Sequence, residues 1–88
     1  MRAKGNYVLR QVARTWVVMP LGQSTLDLNG MLTLNESGAL LWKTLEQNGD
    51  RDAMVRALTG EYDVSAERAL ADVDRFLTKL AEAGIEIE

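Results

Sequence analysis

The chain has neither histidine nor cysteine among its 88 residues, and only one proline. Without cysteine there is no disulfide and no thiolate nucleophile, and without both residues there is no ligand set for structural zinc. Hard oxygen donors remain, but no EF-hand-like acidic loop gathers them, so no metal or other cofactor is expected. Ser24, Ser37 and Ser65 have no His base, and no SxxK-like context offers a Lys in its place. Asp72 and Asp74, or Glu82, Glu86 and Glu88, would supply acid and base only if clustered, and they read as a solvated helix face and a terminus. The glycines form neither GxGxxG nor GxxxxGK, so no phosphate cradle is visible. No apolar run approaches the roughly 20 residues of a membrane span, and the N-terminus lacks the apolar region of a signal peptide. The expectation is a cytoplasmic protein with no catalytic site and no membrane association.

What is present describes a folded domain. With 47% hydrophobic and 26% charged residues, the composition is globular, and its length predicts a single domain over residues 1–88. A net charge of -3 gives no general attraction to a phosphate backbone, so nucleic acid is not an expected partner.

Tyr7 to Val12 and Trp16 to Pro20 are β-branched and aromatic runs separated by Ala13-Arg14-Thr15, the spacing of a hairpin. Met31 to Leu34 reads as a third strand. The Asn29-Gly30 pair before it favours a type I′ turn that would fold Thr25 to Leu28 back on Met31 to Leu34, with Leu26 to Leu28 extended. Adjacent apolar positions (Val8 and Leu9, Val17 and Val18, Met31 and Leu32) predict a sheet covered on both faces, and a three-stranded sheet leaves an edge open to a guest strand.

Helical signals follow. Asn35 caps a helix carrying Leu40, Leu41, Trp42 and Leu45 that stops at Asn48-Gly49. Asp50 caps a second with Met54, Val55, Leu58 and Tyr62, whose end Gly60 weakens by about 1 kcal/mol and should fray. Ser65 caps the third and longest, with Val64 and Ala69 as a hydrophobic staple and Gly84 as its terminating glycine. On this third helix Ala66, Ala69, Leu70, Val73, Phe76, Leu77, Leu80, Ala81 and Ala83 span roughly 160°, wider than the ~100° stripe one packing contact needs. The bland explanation is packing on two neighbours at once; the functional one is a groove between this helix and the open strand.

Strands followed by a helix-turn-helix predict an α+β, winged-helix-like fold and raise DNA binding as an alternative. The third helix sets Arg68, Arg75 and Lys79 against Glu67, Asp72, Asp74 and Glu82, a balance unlike that of a recognition helix. A dimerisation module pairing its own edge strand with a second copy is another alternative, and a homodimer stays open.

Leu32 to Trp42, then Glu61-Tyr-Asp-Val64, then Ala71 to Ile85 together resemble the PqqD-like domain, the recognition element for precursors of ribosomally made, modified peptides. Each piece is common; their order and spacing are more specific, and the resemblance covers nearly the whole chain from Tyr7. The stretch from Leu21 to Gly30 departs from the usual pattern by making a longer connection before the third strand. The resemblance implies three N-terminal β-strands followed by three α-helices, and a precursor leader peptide bound as an added strand on the third strand and against the third helix. Carried over, Met31, Leu32, Thr33 and Leu34 would supply the strand contacts. Exposed members of Leu70, Val73, Phe76, Leu77 and Leu80 would form the groove wall, with Arg75 and Lys79 at its rim. It further implies a free-standing adaptor without chemistry of its own, working beside a maturation enzyme, either a radical-SAM maturase or a leader peptidase.

Overall fold

A computed structural model describes residues 1–21 and 32–88. Met31 and the expected extended segment Leu26 to Leu28 lie outside the described residues. The element order is β1 (Tyr7–Val12), β2 (Thr15–Pro20), β3 (Leu32–Leu34), α1 (Glu36–Glu46), α2 (Arg51–Glu61) and α3 (Ala66–Glu82), the α+β succession expected from the sequence.

The sheet is antiparallel in the order β1-β2-β3. Val12 pairs with Thr15, so the hairpin loop is the two residues Ala13 and Arg14 and β2 begins one residue earlier than the Trp16 start read from the sequence. Ala13 meets this tight turn with a φ of 56°. On the other side of β2, Trp16 faces Leu34, Val17 faces Thr33 and Val18 faces Leu32, which leaves the far edge of β3 unpaired by any described strand. Consecutive strand residues point to opposite faces, and Val17 and Val18 are both buried, so both faces of β2 are covered as expected.

Each helix starts on its predicted cap. The side chains of Asn35, Asp50 and Ser65 accept hydrogen bonds from the amides of Gly38, Ala53 and Arg68, at 2.8, 2.8 and 3.1 Å. Each satisfies one of the amides that a helix start leaves without a partner. α1 ends in a Schellman arrangement: the Gly49 amide donates to the Thr44 carbonyl at 2.9 Å and Asn48 to Leu45 at 3.0 Å, with Asn48 at φ 62°. A Cβ on Gly49 would stand 2.7 Å from the Thr44 carbonyl oxygen, so the close approach requires glycine. α3 closes in the same way, Ile85 donating to Leu80 at 2.9 Å and Gly84 to Ala81 at 3.0 Å. Gly60 does not interrupt α2, which continues to Glu61 with the Tyr62 amide bonded to Leu58 at 2.9 Å.

One hydrophobic core joins these elements. Trp42, Leu45, Met54, Leu58, Val73, Leu80 and Val18 are its largest fully buried side chains, and the Tyr7 ring meets Trp42 edge-on at 5.8 Å. Ala69, Val73, Phe76 and Leu80 turn α3 toward this core, and Ile85 beyond its end is buried with them. Arg51 of α2 grips Asp74 of α3 with both carboxylate oxygens engaged, 2.6 and 2.7 Å from its Nη2.

Candidate functional site

The edge of β3 that no described strand pairs and one flank of α3 face each other across a groove of about 680 Å³. Its floor is apolar: Leu34, Leu41 and Phe76, with Gly38 leaving room where any other residue would place a Cβ 3.2 Å from Leu34. Its walls are polar and mostly cationic. Arg14 enters from the β1–β2 turn, Arg68, Arg75 and Lys79 from α3, and Asp72 is the single carboxylate among its described lining residues. Arg75 hydrogen-bonds Asp72, and Arg68 lies 3.7 Å from the same carboxylate, so Asp72 is shared by two guanidinium groups.

The backbone of β3 is presented to this groove in a defined phase. The Lys79 ammonium donates to the Thr33 carbonyl at 2.7 Å, so that carbonyl points away from β2. Within a strand the N–H and C=O of one residue point to the same neighbour, and the alternation assigns Leu32 and Leu34 to β2 and Thr33 to the groove. Thr33 is therefore where a strand laid along β3 would find both a donor and an acceptor.

The structure sorts the residues singled out in the sequence. Thr33, Leu34, Phe76, Arg75 and Lys79 come together around the groove. Val73 and Leu80 are buried in the core and line none of it, so they are core side chains rather than groove wall, and Leu32, expected as a strand contact, likewise buries its side chain in the core. Leu70 is exposed and Leu77 half-buried, but both belong to the opposite flank of α3. Asp74 shares that flank and is tied to Arg51, so it faces α2 and not β3. The breadth of the apolar arc thus reflects packing against α2 as well as the core.

Sequence reasoning missed Arg14, Thr15, Asn35, Ser37, Gly38, Leu41, Arg68 and Asp72. The spacing of Arg68, Asp72, Arg75 and Lys79 is a helical stripe and was open to being read as one face. Summing charge over the whole helix hid it, because Glu67, Asp74 and Glu82 lie outside the groove. Nothing local marks Arg14, which arrives through the pairing of β2 with β3.

Among the described residues no group of three or more acidic side chains is arranged to hold a metal ion, and no helix is long and apolar enough to cross a membrane. The molecule is an α+β domain of three strands and three helices whose edge strand and last helix frame an open, cation-walled groove. It belongs to the PqqD family: the family model described as Coenzyme PQQ synthesis protein D (PqqD) matches residues 15–85. A solved structure of TbiB1 in complex with the TbiA(beta) leader peptide has the same fold, with a TM-score of 0.76 and 24% sequence identity over 100% of this chain and 98% of that one. No curated protein matches.

Proposed function

We propose that residues 1–88 form one peptide-recognition domain that binds the leader of a ribosomally made precursor and performs no chemistry on it. The leader would add as a strand to the free edge of β3 and lie against α3. The observation that carries this reading is the outward backbone of Thr33, on an edge that no described strand pairs and facing α3 across a groove. The likeness to TbiB1, solved with a leader peptide, supports the same use of the fold.

Energetics constrain the guest. Ordering about five residues costs roughly 5 to 10 kcal/mol of backbone entropy, and each backbone hydrogen bond returns about 0.5 to 1.5 kcal/mol net. The balance must come from apolar burial, at about 25 cal/mol per Å². Two or three apolar side chains of the leader, such as Leu, Ile or Phe, would supply it over Leu34, Leu41 and Phe76. The bound leader would then be presented to a separate maturation enzyme, a radical-SAM maturase or a leader peptidase.

The test is an isothermal titration with leader peptides of short precursors encoded beside the gene, with scrambled leaders as controls. Saturable binding of one leader and none of its scramble is the expected result. Equal binding of leader and scramble, or no binding of any leader, overturns the proposal.

A further inference from the structure

Lys79 holds the outward backbone acceptor that the described residues of β3 offer a guest strand. Its ammonium reaches from α3 to the Thr33 carbonyl at 2.7 Å, a charge-assisted hydrogen bond across the mouth of the groove. Among the described residues no acidic group lies within 4 Å of the ammonium, while Asp72, the only carboxylate in the described wall, is already engaged by Arg75 and Arg68. The described partner of the cation is therefore a neutral carbonyl.

We propose that Lys79 is a specificity-determining residue: it caps the edge of β3 in the free protein and yields Thr33 to an incoming strand that offers a carboxylate in exchange. The proposal rests on the reading of the groove as a strand-accepting site. A neutral strand must take the Thr33 carbonyl from the ammonium, which then loses a charged hydrogen bond and gains none. An acidic strand gives the ammonium a stronger acceptor at the moment the carbonyl is needed. Discrimination thus arises from what Lys79 loses as much as from what it gains. The occupant selected is an extended peptide with an Asp or Glu near the residue that pairs with Thr33, placed where Lys79 rather than the arginines of the wall meets it. A lysine laid over an open edge also discourages a second copy from pairing there.

The test uses a displayed library of random dodecapeptides, selected in parallel on the intact wild-type protein and on the Lys79→Met and Lys79→Arg variants. Lys79 is exposed, and circular dichroism should be unchanged in both variants. Both wild type and Lys79→Met should enrich the same apolar spacing, but an Asp or Glu at one fixed position should be enriched by wild type and Lys79→Arg alone. Titrations with one selected peptide and its Asn or Gln counterpart then read the coupling. Neutralising the acid should weaken wild type by roughly two- to five-fold, the range of an exposed ion pair, and leave Lys79→Met unchanged. The neutral peptide should bind Lys79→Met more tightly than wild type, which a merely supportive lysine would not produce. Equal weakening of both peptides by Lys79→Met, or the same acid enrichment on both proteins, overturns the role of Lys79 while leaving strand capture standing. Failure of every protein to enrich any peptide removes strand capture itself, and the role of Lys79 with it.

Discussion

Single side chains on α3 divide into those that hold the fold and those that meet the groove, and the two kinds should respond differently to substitution. Val73 is fully buried, so Val73→Asp places an unpaired charge in the core and should unfold the domain, seen as loss of the helical circular dichroism signal. Arg75 is exposed, so Arg75→Glu should preserve that signal while weakening an acidic leader by several-fold in a titration. Gly84 separates backbone from packing effects, because its φ is 83° and the space where a Cβ would stand is empty. Gly84→Ala should cost about 1 kcal/mol in urea unfolding through backbone conformation alone. These distinctions were only half legible in the sequence. Periodicity marks Leu70, Val73, Phe76, Leu77 and Leu80 as one broad apolar arc, but the wheel does not say which neighbour lies on which side. That direction is set by the packing of α2, through contacts such as the Arg51–Asp74 pair, which join residues far apart in the chain.

At the level of elements, the helix boundaries were the most legible part of the fold, since caps and terminating residues act within a few positions. Asn35, Asp50 and Ser65 each perform the capping predicted for them, and removing one by Asp50→Ala should cost about 1 kcal/mol in the same unfolding measurement. The phase of β3 was not legible, because it depends on the pairing with β2 that turns Thr33 outward. Thr33→Pro tests that phase. It removes the groove-facing amide and leaves the bonds of Leu32 and Leu34 to β2, and proline is tolerated on an edge whose amide faces away from the sheet. The expected outcome is a folded protein whose leader affinity falls by about tenfold, the worth of one backbone hydrogen bond plus the displaced geometry. A similar Pro at Val17 of the central β2 should instead destabilise the domain.

For the whole molecule, an excess of negative charge coexists with a cationic groove, and the two make different predictions. Four cations around a concave wall would favour a short acidic strand, whereas a DNA duplex would bring its phosphates against a chain of net charge -3. No gel shift with duplex DNA at low salt is the expected result. The Lys79 bond across the β3 edge likewise predicts a monomer in sedimentation at micromolar concentration, since self-pairing would have to displace it. The two ends of the described chain meet elsewhere. Ala3 bridges Ile87, Arg2 and Glu88 exchange backbone hydrogen bonds at 3.2 and 2.8 Å, and none of these residues lines the groove. Their adjacency gives the domain the geometry of a cassette: a chain entering near Ala3 and leaving near Ile87 passes through one small patch away from the working face, the arrangement that insertion into a host loop requires.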